Sequence, residues 1–132
     1  MDADHKLTGL ATMSTIAVIE SDLAMRTLIC EWLVADGHRT QARATATIGQ
    51  PCQADVAIVG ISDLRSGGGQ TLSEVRRWCP DSAIIGLSAQ LARSLPADSA
   101  LVRALGVSRL IAKPCTRDEV LAAVAAAIGA AA

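Results

Sequence analysis

Phenylalanine and tyrosine are absent from this 132-residue chain, and Trp32 and Trp78 are its only aromatic residues. That scarcity argues against a single-stranded nucleic-acid platform, which stacks bases on aromatic rings. It also requires a core of alanine, valine, leucine and isoleucine. Positive charge is not in excess either. The formal net charge is −1, so no global basic field draws nucleic acid, and Arg76-Arg77, the one basic pair, reads as a solvated helix face. Cys30, Cys52, Cys79 and Cys115 are widely spaced and form no C-x-x-C or metal-finger pattern. Cys30 and Cys79 fall on predicted helices and read as small core residues; a reducing, cytoplasmic compartment is the simplest setting. No apolar run suffices to span a bilayer, because the Ala-rich C-terminus is interrupted too often. Residues 1–13 carry Asp2, Asp4, His5 and Lys6 without an apolar signal core. They read as a flexible leader, with one domain over 14–129 and a short tail at 130–132.

What is present is a core. Hydrophobic residues make up 51% of the chain, which rules out a disordered polymer. Short apolar runs alternate with helical periodicity. Thr15–Ile19 predicts a first buried strand. Met25, Leu28, Ile29, Trp32 and Leu33 then recur at helical spacing, capped by Ser21 or Asp22 and stopped by Gly37. His38–Ala44 alternates weakly and makes a poor second strand. Between Ala46 and Gln53, Gly49 and Pro51 leave room for a short helix at most. Val56–Val59 is a run buried on both faces, of the kind found in the middle of a parallel sheet. Thr71 and Glu74 have capping-box spacing for the helix that buries Leu72, Val75 and Trp78. Ala83–Leu87 and Arg109–Ala112 complete the strands. Pro96 is placed as a first helical residue ahead of Leu101, Val102 and Leu105. Thr116 and Glu119 form a second capping box, opening a helix that buries Val120, Leu121, Val124 and Ile128. Strands alternating with helices imply a five-stranded parallel, doubly wound, flavodoxin-like sheet with helices on both faces, the second helix being short or absent.

In such sheets ligands gather beyond the carboxyl ends of the strands. Those ends bring together Glu20-Ser21, Gly60, Ser88 and Lys113. With Val18-Ile19-Glu20-Ser21, Asp55–Gly60, Ile84–Ala89 and Gly106 through Lys113-Pro114 in this order and spacing, the chain resembles the CheY-like receiver domain of two-component response regulators. The resemblance covers roughly Thr15 to Gly129. It implies a phosphorelay site in which an aspartate ending the third strand accepts a phosphoryl group from a histidine kinase. Two acids after the first strand help hold Mg²⁺, a lysine contacts the phosphoryl oxygens and a Ser or Thr reports the modification.

This chain departs from the pattern. Gly60 stands at the phosphoacceptor position and cannot be phosphorylated, while Ser21 is neutral where the second acid belongs. Glu20, Ser88 and Lys113 remain as remnants, so Mg²⁺ or another cofactor is not expected. The expectation is an atypical receiver, not an enzyme, that binds protein partners without phosphorylation. The implied partners are a histidine kinase, an output domain, another regulator or a second copy in a homodimer, and neither nucleic acid nor membrane. By family resemblance the binding surface is the last helix, strand Arg109–Ala112 and the helix from Pro96 to Leu105. A Glu20–Lys113 ion pair is expected, since Lys113 needs an anion and Glu20 is the one acid within reach. Two alternatives stand beside this reading: a conventional receiver using Asp63 as phosphoacceptor in a shifted register, and a small nucleotide-binding or enzymatic flavodoxin-like domain. Gly67-Gly68-Gly69 lacks the lysine of a P-loop and reads as a flexible loop. His5 and His38 are expected to face solvent, with neither placed to activate Ser88.

Overall fold

A computed structural model describes residues 14–45 and 52–131. Five strands, β1 (Thr15–Ile19), β2 (Arg39–Arg43), β3 (Val56–Gly60), β4 (Ala83–Ser88) and β5 (Arg109–Ala112), form one parallel sheet in the order β2-β1-β3-β4-β5. Four α-helices accompany them: α1 (Leu23–Ala35), α2 (Gly69–Trp78), α3 (Ala100–Leu105) and α4 (Arg117–Ala131). The reversal of strand order beside β1 and β3 makes the switch point at which such sheets bind ligands. The leader, with His5, and most of the segment allotted to a short second helix lie outside the described residues.

Strand alternation divides the core into two layers. Ile16, Val18, Val56, Ile58, Ile85, Leu87 and Ile111 face Ile29 and Leu33 of α1 and Val120, Ala123, Val124 and Ala127 of α4. Ala17, Ile19, Ala57, Val59, Ile84 and Leu110 face Leu72, Val75 and Trp78 of α2 and Val102 of α3. Small strand residues let the second layer close tightly. A Cβ on Gly86 would lie 2.7 Å from Leu110 Cδ2 and 2.8 Å from Ile61 Cδ1, so that layer has no room for one methyl group.

Several expectations are met in detail. Asp22 caps α1, its carboxylate accepting from Ala24 N and Met25 N, and Gly37 follows the helix at φ 95°. Thr116 and Glu119 close their capping box, with Glu119 N donating to Thr116 Oγ1 at 3.1 Å and Thr116 N to Glu119 Oε1 at 3.2 Å. The Thr71–Glu74 box does not form. Gly67 and Gly68 adopt φ of 93° and 63°, a left-handed turn open to glycine at little cost. α2 therefore starts at Gly69, and the Thr71 hydroxyl, now within the first turn, donates to Asp63 Oδ1 at 2.9 Å.

Pro96 likewise opens no helix. It favours an extended residue before it, and Leu95 pairs antiparallel with Leu110 of β5; α3 begins only at Ala100, after Ser99. Leu28 is exposed rather than inward-facing. His38 is buried, not solvent-facing, with Nδ1 3.4 Å from Ser14 N and Nε2 3.3 Å from Asp36 Oδ2. Cys79 is buried as expected but is not free, because it is bonded to Cys52. Among the described residues, no helix is long and apolar enough to cross a membrane.

Candidate functional site

The carboxyl ends of β1, β3, β4 and β5 enclose a cavity of about 200 Å³ lined by Glu20, Ser21, Gly60, Ile61, Ser62, Ala89, Gln90 and Lys113. Glu20 follows β1 directly and is 3% exposed. A carboxylate buried that far is costly unless it is paired and hydrogen-bonded. Both of its oxygens are engaged: Oε1 lies 2.5 Å from Lys113 Nζ, and Oε2 accepts from Asp22 N at 3.0 Å. That second bond sits at the N-terminus of α1, where unpaired backbone N–H groups favour negative charge. The expected Glu20–Lys113 pair is thus present.

Gly60 explains how Glu20 reaches this position. Its backbone angles are ordinary; the requirement is space. A Cβ on Gly60 would stand 2.6 Å from Glu20 Oε1, 3.0 Å from Cδ and 3.2 Å from Oε2. The Glu20 carboxylate therefore occupies the volume into which any side chain at position 60 would project. Glu20, at the end of the first strand, thus fills the space beside Gly60 on the third and pairs with Lys113.

Lys113 is carried just past β5. Its backbone N donates to Ser88 O at 3.0 Å, and its side chain stays 24% exposed. Ser88, ending β4, is buried, and its Oγ accepts from Gln90 N at 3.0 Å, so the hydroxyl serves its own turn. Among the described residues, no histidine adjoins it: His38 lies before β2, at the opposite end of the strands. Ser21 lines the cavity from an exposed position.

Sequence reasoning overlooked Gln90. Its Nε2 donates to Ser62 O at 2.8 Å and its Oε1 accepts from Arg65 N at 2.7 Å. It thereby ties the β3–α2 loop to the end of β4. A single loop glutamine carries no periodic or motif signal that could have marked it.

Asp63 is not brought to this cavity. Its Oδ1 accepts from Thr71 at the start of α2, and its backbone O accepts from Ser66 N and Gly68 N, which ties it into the glycine turn. Nor does the donor set suit Mg²⁺, which favours several hard oxygen ligands in octahedral array. The cavity supplies one carboxylate, and Lys113 already neutralises it. Among the described residues, no group of three or more His, Cys, Asp or Glu could hold a metal ion.

No protein-family model and no curated protein sequence matches the chain. Solved structures do match. A response regulator from Thermotoga maritima superimposes with a TM-score of 0.68 at 20% identity, over 89% of this chain and 98% of that one. A CheY-like response regulator receiver domain protein from Methanospirillum hungatei JF-1 gives 0.70 at 17% identity, over 89% and 95%. A receiver domain protein from Clostridium thermocellum gives 0.68 at 22% identity, over 89% and 96%. The chain has the CheY-like receiver fold.

Proposed function

We propose that this domain is a pseudo-receiver: a signalling module of two-component type, without enzymatic activity, that engages protein partners with no phosphoryl transfer at the usual position. One observation carries the reading. The space beside Gly60 is filled by the Glu20 carboxylate, which also holds Lys113. The nucleophile is missing, its place is taken and the lysine that would meet a phosphoryl oxygen is already neutralised. An incoming phosphoryl group would have to displace a buried ion pair and find no acceptor behind it.

The partners are proteins in the cytoplasm, such as a histidine kinase, an output domain, another regulator or a second copy. The surface offered is α4 with β5 and α3. This surface differs in detail from the one expected from sequence, since residues 95–99 precede α3 as an extended stretch and turn.

The test is phosphate incorporation from acetyl phosphate with Mg²⁺, read by intact mass. The protein is expected to stay unmodified. Incorporation that disappears in Asp63→Ala would overturn the proposal and establish Asp63 as the acceptor. Incorporation that survives this substitution would overturn it as well.

A further inference from the structure

The other end of the sheet holds a second reactive group that the proposed function does not use. Cys52 and Cys79 are bonded, with Cα atoms 5.0 Å apart, inside the usual span of a disulfide. Cys52 lies on the strap that leads into β3, and Cys79 follows the last residue of α2. The strap is also held by bonds that do not involve sulfur. Cys52 N donates to Trp78 O at 3.3 Å and Asp55 N to Thr15 O at 2.8 Å. Thr15 N donates to Asp55 Oδ2 at 2.9 Å, and Ser82 Oγ to Ala54 O at 2.6 Å. The two cysteines are therefore held face to face whether or not they are bonded, so reduction need not dismantle the fold.

Among the described residues, access favours Cys52. A cavity of about 550 Å³ is lined by Ser14, Cys52, Gln53, Ala54, Asp55 and Asp81, with Ile128 closing it. Cys79 takes no part in that lining and is 1% exposed, against 8% for Cys52. The rim carries Asp55 and Asp81, both exposed, which favour a cationic visitor over an anionic one.

We propose that Cys52–Cys79 is a reversible thiol–disulfide exchange site, reached through this cavity by a small cationic thiol or its disulfide, with Cys52 as the entry sulfur and Cys79 as the resolving one. In reduction, the thiolate of the small thiol attacks Cys52 Sγ and forms a mixed disulfide. The Cys52–Cys79 bond breaks, and its electron pair leaves on Cys79, which then takes a proton from water. A second small thiolate attacks the small-molecule sulfur of the mixed disulfide, releasing the Cys52 thiolate, which is protonated in turn. Two small thiols have then become one small disulfide, and two electrons and two protons have reached the protein. Oxidation runs the same steps backwards. Cys30 and Cys115 are free and stand apart from the pair, so each can form only a mixed disulfide with the small thiol, whereas Cys52 and Cys79 resolve one within the chain. The site is distinct from the Glu20–Lys113 cavity and does not rest on the pseudo-receiver reading.

The experiment equilibrates the native, full-length protein across a cysteamine–cystamine ladder, followed by acid quench, alkylation and peptide mass analysis. Cys52 and Cys79 are expected to titrate together in one two-electron step, with Cys30 and Cys115 acquiring cysteamine only at more oxidising ratios. Reduction should lower Tm by about 10 °C, the size expected for opening a ring of this length. Cys79→Ala should accumulate a cysteamine adduct on Cys52, while Cys52→Ala should leave Cys79 a free thiol. Four free thiols across the whole ladder would overturn the proposal. So would a Cys52–Cys79 bond that the native protein never surrenders, or adducts forming as readily on Cys79 as on Cys52. The wild-type titration decides the first two outcomes even if neither variant folds.

Discussion

Replacing Lys113 with methionine removes the cation from a carboxylate that stays buried. Glu20 keeps the Asp22 N–H but loses the ammonium 2.5 Å from Oε1. Removing one partner of a fully buried ion pair costs about 3–5 kcal/mol. Lys113 is a quarter exposed, so water can reach the gap and the cost falls below that range, to about 2–3 kcal/mol. For a domain of this size that corresponds to roughly 10 °C in Tm, out of a total stability of about 5–15 kcal/mol. Glu20→Gln in the same background removes the stranded charge while keeping the shape of the side chain. Lys113→Met/Glu20→Gln should therefore recover to within about 1 kcal/mol of the parent, giving a coupling energy of about 2 kcal/mol in the double-mutant cycle. Urea unfolding at neutral pH, followed by the emission of Trp32 and Trp78, measures all four proteins. A Lys113→Met loss below about 1 kcal/mol, or a double variant no better than the single, refutes the claim that Glu20 is held in place by its cation.

Two further substitutions probe the frame around the site. Gly86→Ala should destabilise by about 1–3 kcal/mol through overpacking, since the new Cβ would meet Leu110 and Ile61 below 3 Å; a neutral result in thermal unfolding would show that this layer has slack. Thr116→Ala removes the hydroxyl that accepts from Glu119 N and should cost about 1 kcal/mol, seen as a lower urea midpoint with an unchanged m value.

Much of the frame was legible because it rests on local, one-dimensional signals. The runs of β1, β3 and β4 announce strands buried on both faces. Asp22 and the Thr116–Glu119 pair act within a few residues of themselves, so spacing suffices to find them. The misreadings arose where a distant group competed for the same atoms. Thr71 had capping-box spacing, but Gly68 moved the helix start and Asp63 took the hydroxyl. Pro96 could have begun a helix, but pairing of Leu95 with β5 won. Cys52 and Cys79 stand 27 residues apart, and only the return of α2 to the start of β3 makes them neighbours. At the site, the absence of an acid at position 60 could be read directly. That the Glu20 carboxylate fills its place could not, because the length of one side chain acts there across two strands.

The pairing of Leu95 has a consequence for how copies of this molecule can associate. Strand β5 ends the sheet, and an unpaired edge is a template for another chain's strand. Here Leu95 N donates to Leu110 O at 2.8 Å and Leu110 N to Leu95 O at 3.2 Å, while Ala112 N donates to Ser94 Oγ at 2.9 Å. The chain thus spends the donors and acceptor of its own margin on itself. A neighbour approaching β5 finds no open ladder to extend, so assembly on that side must proceed through side chains of α3 and α4 rather than by adding a sixth strand.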